Sequence, residues 1–97
     1  MITVVIAYPY ANEKYGSDCV LYSMENGEVP VPLNAIYEHF GKTAEINSLL
    51  KESVTKILLS VNKLVVYDDL GVSRSMAEIM EIAKDYNIEV VMRQIKK

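Results

Sequence analysis

The chain of 97 residues is short of the residue types that most often mark chemistry. Its one cysteine, Cys19, leaves no internal disulfide and no cysteine zinc cluster. Set among apolar residues, that thiol reads as buried and inert. The one histidine, His39, has no companion at a metal-ligand or catalytic spacing and reads as a surface or packing residue. No glycine-rich phosphate loop, serine elbow or zinc motif occurs. Basic residues are also scarce. With Lys and Arg outnumbered 10 to 13 by Asp and Glu, the net charge is -3, which excludes electrostatic nucleic-acid binding: Arg93, Lys96 and Lys97 are too few to displace counterions. No apolar run reaches membrane-spanning length, so no membrane partner is expected. Met1 to Ile6 lacks a preceding basic stretch and reads as a first strand rather than a secretion signal. A reducing, cytoplasmic setting follows.

What is present is globular: 51% hydrophobic and 24% charged residues, without repeat, linker or low-complexity tract. Residues 1–97 have material for a single domain. A domain so small buries a modest share of its surface, which makes a homo-oligomer the expected state.

Thr3 to Ala7 is a continuous β-branched run, the form of a strand covered on both faces, and it breaks at Tyr8-Pro9-Tyr10. Ala11 to Gly16 is loop-like, and Ser17 is placed to cap a helix through Asn26, with Val20, Leu21 and Met24 on one side and Gly27 as terminator. Pro30 and Pro32 hold Glu28 to Leu33 extended, as a short strand and loop. A helical turn is predicted over Asn34 to Phe40, ended by Gly41. Thr43 would then cap the longest helix, whose stripe is Ile46, Leu49, Leu50, Val54, Ile57, Leu58 and Val61. Glu45, Lys51 and Glu52 form its solvated face. Leu64 to Tyr67 is another strand. A helix after Gly71 carries Met76, Ile79, Met80, Ala83 and Tyr86 on one face and Glu78, Glu81 and Asp85 on the other, and Glu89 to Met92 closes the chain as a strand. Strands alternating with helices imply a parallel α/β sheet of about four strands with flanking helices.

Ligands of such sheets bind beyond the carboxyl ends of the strands. Two segments fall there: Tyr8, Pro9, Tyr10 and Asn12 after the first strand, and Asp68, Asp69, Gly71, Ser73, Arg74 and Ser75 after the third. A helix start with serines favours an anion, to which Arg74 adds a charge-assisted contact. The alternative is that Ser73 or Ser75 only caps the helix. Ser75 and Glu78 match the capping box Ser-x-x-Glu. Asp68 and Asp69 either orient sugar hydroxyls or form a solvated turn. Tyr8 and Tyr10 either stack on a base or cover the sheet end.

These segments, in this order, resemble the nucleoside 2-deoxyribosyltransferase-like superfamily, and especially its small, poorly characterised, phage-associated branch. The resemblance rests on Tyr8-Pro9-Tyr10 after the first strand, the stretch from Gly27 to Pro32, and Asp69 followed by Gly71-Val72-Ser73-Arg74-Ser75-Met76, Ala83 and the strand around Val90. It covers nearly the whole chain with short motifs. It implies a small three-layer flavodoxin-like or Rossmann-like sheet that binds a nucleoside, a nucleotide or an ADP-ribose-like molecule, without a further cofactor. The enzymes of the superfamily attack the anomeric carbon with a glutamate of the last helix. Counted four residues back from Ala83 or four on from Ser75, that position falls on Ile79, not Glu78. One residue turns a helix by about 100°. The resemblance therefore implies a pocket without a catalytic residue: a nucleotide-binding protein, in its concrete form a phage anti-defence protein that sequesters a nucleotide immune signal in the host cytoplasm. A one-residue shift of the helix start would return Glu78 to the site, and the chain would then read as a deoxyribosyltransferase or nucleotide N-glycosidase. A protein-binding module is the third reading.

Overall fold

The computed structural model of the chain describes residues 2–9, 13–33 and 44–95. Tyr10, Asn12, the turn expected over 34–40, His39, Gly41 and Thr43 lie outside the described residues, as do the side chains of Glu45 and Ile46. The elements run β1 (Ile2–Ala7), α1 (Glu13–Glu25), β2 (Glu28–Pro32), α2 (Ala44–Val61), β3 (Lys63–Tyr67), α3 (Arg74–Asp85) and β4 (Glu89–Arg93). All strand pairs are parallel, in the order β2-β1-β3-β4. Helices cover both faces, and the order is that of the flavodoxin-like, doubly wound α/β fold.

The two central strands explain their sequences. Val4 to Ala7 and Leu64 to Tyr67 are buried throughout, so neither face tolerates polar residues. Alternation then sorts the side chains. Val5, Ala7, Leu64 and Val66 meet Val54 and Leu58 of α2 and Met76, Ile79, Ile82 and Ala83 of α3. Val4, Ile6, Val65 and Tyr67 meet Tyr15 and Cys19 of α1. Left-handed residues follow each of the three described helices and turn the chain into the next strand: Gly27 (φ 78°), Asn62 (φ 60°) and Asn87 (φ 56°). Among the described residues no helix is long and apolar enough to cross a membrane.

Five expectations change. Helix α1 begins at Glu13, so Ser17 lies exposed inside it rather than at its cap. Gly16, which reads as a loop residue, lies inside the helix, where its missing side chain makes room for the Tyr8 ring: a Cβ there would sit 2.6 Å from that ring. The buried residues of α1 are Tyr15, Gly16, Cys19 and Ser23, while Leu21 and Met24 are each 55% exposed. On α2, Leu49 leaves the expected stripe for solvent, and Tyr86, the C-cap of α3, does the same. In both helices the sheet engages a narrower arc than the apolar pattern suggests.

Candidate functional site

The sheet order reverses direction between β1 and β3, which go on to opposite sides of the sheet. In folds of this kind the ligand crevice lies at such a switch point, beyond the strand ends. Here that place is flanked by the segments after those strands. Tyr8 and Pro9 leave β1, with the Tyr8 ring buried against Gly16 and Pro9 half-buried. From β3 the chain makes a tight turn in which the Gly71 amide donates to the Asp68 carbonyl at 2.9 Å. Gly71 adopts φ 91°, a left-handed conformation that a side chain would strain.

The two aspartates of this turn have different fates. Asp69 is held: its Oδ1 accepts the Tyr15 hydroxyl at 2.5 Å, and both carboxylate oxygens accept the Ile95 amide at 3.1 Å. It therefore ties the β3 end to α1 and to the segment after β4. Burial, aided by the Asp69 hydrogen bond, raises the Tyr15 phenol above its ordinary range and keeps it a neutral donor. Burial likewise pushes the Cys19 thiol up to about 12, so the cysteine stays protonated as a packing residue. Asp68 differs. Its Oδ1 is buried without a hydrogen-bond partner, an arrangement that costs roughly 1–3 kcal/mol and that native proteins rarely leave unexplained.

Helix α3 opens at the same rim. Ser73 is extended (φ -77°, ψ 170°) and is the N-cap, its Oγ accepting the Met76 amide at 3.3 Å. The Ser73 amide points back to the Met76 sulfur at 3.3 Å, so methionine takes the place that glutamate or glutamine holds in the usual capping box. The box expected from Ser75 and Glu78 does not form. Ser75 is already helical, buried, and 3.2 Å from the Ser73 hydroxyl. Glu78 pairs instead with Arg74 at 3.6 Å, with side chains 40% and 94% exposed. Ile79, at the position where the resemblance implies a nucleophile, is fully buried in the apolar core. An aliphatic side chain there offers neither a nucleophile nor a proton carrier.

A second polar cluster was not legible in the sequence. On the α1 side of the sheet, Arg93 of β4 donates through Nη1 and Nη2 to the two oxygens of Glu28 of β2, at 2.7 and 2.9 Å. Its Nη1 also donates to the Tyr67 hydroxyl at 3.0 Å, and its guanidinium lies 5.6 Å from the centre of the Tyr67 ring. The Tyr67 hydroxyl shares a further hydrogen bond with Ser23 at 2.5 Å, and the Tyr22 ring meets Tyr67 edge-on at 6.3 Å. Hydrogen bonding to Arg93 lowers the Glu28 carboxyl against the opposing effect of burial, and the same bond raises Arg93. This ion pair joins the two outer strands of the sheet. Its only trace in the sequence is a charged residue opening one strand and another closing a strand 65 positions later.

Among the described residues no group of three or more His, Cys, Asp or Glu side chains is placed to hold a metal ion. Chemically, the rim carries the Asp68 carboxylate with its buried Oδ1, the Ser73 and Ser75 hydroxyls engaged with the helix cap and with each other, a helix N-terminus, and the exposed cation of Arg74. No family model matches the chain, and no curated protein or solved structure matches it either.

Proposed function

We propose that this chain binds a nucleoside or nucleotide in the crevice between the ends of β1 and β3 and holds it without cleaving it. The observation that carries the reading is the strand order, which sets the switch point between the two segments that resemble nucleoside-binding loops. Asp68 supplies an acceptor suited to a sugar hydroxyl or a base amine. The α3 N-terminus, with Arg74 in its first turn, suits a phosphate. Against cleavage stand the burial of Ile79 and the outward pairing of Glu78 with Arg74. In its concrete form the protein sequesters a nucleotide signal, such as an ADP-ribose derivative, as the resemblance to the phage-associated branch implies.

A thermal-shift panel of nucleosides, nucleotides and ADP-ribose derivatives tests this, followed by mass spectrometry of the ligand released on denaturation. The expected outcome is a raised melting temperature and recovery of the intact ligand. Recovery of a free base, with turnover abolished by Glu78→Gln but not by Ile79→Ala, would replace the reading with N-glycosidic chemistry. No shift across the panel would favour a protein-binding module.

A further inference from the structure

Helix α2 buries Val54 and Leu58 against the sheet, but its opposite face is not uniformly polar. Leu49, Glu52, Lys56 and Leu59 follow one another at spacings of three, four and three, which sets them along one line of the helix. All four are open to solvent. Leu49 is 66% exposed, Leu59 43%, and the Glu52 and Lys56 side chains more than half. The residues on either flank of this line are small: Ser48 and Thr55 on one side, Ser53 and Ser60 on the other. The Thr55 and Ser60 hydroxyls donate to the Lys51 and Ile57 carbonyls of the same helix at 2.7 and 2.8 Å, so a partner laid over them strands neither donor.

We infer that this face is a self-association surface, on which α2 packs antiparallel against α2 of a second copy about a two-fold axis level with Val54. The commitment to a second copy comes from the order Leu-Glu-Lys-Leu, which is complementary to itself when reversed. Across that axis Leu49 of each copy meets Leu59 of the other, and Glu52 of each meets Lys56 of the other. Within one copy Glu52 and Lys56 already lie 3.2 Å apart, in an exposed pair that leaves both groups open to a second partner. The two copies together form a square of alternating charge, each carboxylate between two ammonium groups. A parallel arrangement would set Glu52 against Glu52 and Lys56 against Lys56.

The leucines supply the apolar burial, and the charges fix direction and register. Small flanking residues let the two backbones come close. Beside the stripe, Leu59 and the half-exposed Tyr86 line a groove, which adds apolar surface at the end where Leu49 of the second copy arrives. The groove beside β4 carries no such pattern: Glu81, Asp85 and Glu89 surround its apolar part with Lys84 as the one cation, so two copies of it repel. A helix of 18 residues is about 27 Å long, and a single helix pair of that length lies at the small end of interface sizes, which makes the dimer reversible. The same face is used by both copies, so the pairing closes and does not propagate.

Sedimentation velocity of the full chain over a concentration series tests the inference. The wild type is expected to pass from monomer to dimer as concentration rises. Glu52→Lys and Lys56→Glu, both at exposed positions, are each expected to weaken the dimer by about tenfold, because two symmetry-related contacts turn from attractive to repulsive. Combining the two substitutions in one chain restores the self-complementary order and is expected to return wild-type association. An equimolar mixture of the two single variants is expected to form a heterodimer of wild-type strength that neither variant matches alone. Leu49→Glu is expected to be monomeric over the same series. A wild type that stays monomeric, single variants that associate as the wild type does, or a mixture no more associated than its components would each overturn the inference.

Discussion

The two faces of the sheet are held by different forces. Toward α2 and α3 the core is apolar throughout, from Val5 and Leu64 to Leu58, Ile79 and Ile88. Toward α1 it mixes Val4, Ile6 and Val65 with Tyr8, Tyr15, Cys19 and Tyr67, and beside them lies the network of buried Ser23 and Glu28 with half-buried Arg93. Apolar burial is non-directional and tolerates adjustment, whereas a paired buried charge demands its partner. The first face accordingly supplies stability. The second fixes α1 and both outer strands in one arrangement, and through Tyr15 and Asp69 it reaches the rim of the crevice.

Breaking the pair on the α1 side carries the largest expected effect. Arg93→Ala leaves Glu28 buried without its partner and should destabilise the fold by about 3–5 kcal/mol in denaturant titration. A Glu28→Leu and Arg93→Met double replacement should cost much less than Arg93→Ala, since it removes both charges together. Acidity provides an independent test of the same pair. The folded-state carboxyl of Glu28 is lowered from 4.5, so its contribution is full above that value and is lost as pH falls through the lowered folded value. Glu28→Gln should flatten the dependence of stability on pH below about 4.5, where the wild type should fall.

On the apolar face, Leu58→Ala should cost about 2–5 kcal/mol through lost burial and a residual cavity, with no change in the acid dependence. That contrast would separate the two faces.

Gly16→Ala should come next. Alanine favours a helix over glycine by about 1 kcal/mol, but here its Cβ meets the Tyr8 ring, and the overpacking should reverse the sign to a net loss of about 1–2 kcal/mol. A stabilised variant would show that Tyr8 moves freely. The smallest effect belongs to Glu78→Gln: its pairing with Arg74 is solvent-exposed, and thermal unfolding should register less than about 0.5 kcal/mol.

The apolar face was legible in the sequence. The runs at Val4 and Leu64 and the spacing of Met76, Ile79 and Ala83 carry the periods of strand and helix on their own, and they gave the α/β order and the strand ends that frame the crevice. The α1 face was not, because its information is long-range. Nothing near Gly16 announces the Tyr8 ring, and nothing near Glu28 announces Arg93. Tyr15 and Asp69, 54 positions apart, read separately as a loop residue and a member of an acidic pair. The same limit applies at the rim. Asp68 and Asp69 are equivalent in sequence, yet one is engaged by an amide and a phenol while the other keeps a buried oxygen without a partner. Ser73 and Ser75 were separable only by backbone geometry, since only Ser73 is extended.

The central claim concerns where the ligand sits, and amide chemical-shift mapping tests it most directly. On titrating the isotopically labelled chain with the nucleotide that gives the largest thermal shift, the account predicts saturable changes concentrated at Tyr8, Asp68 to Gly71 and Ser73 to Met76. Changes confined to α2, or to the groove beside β4, would contradict it.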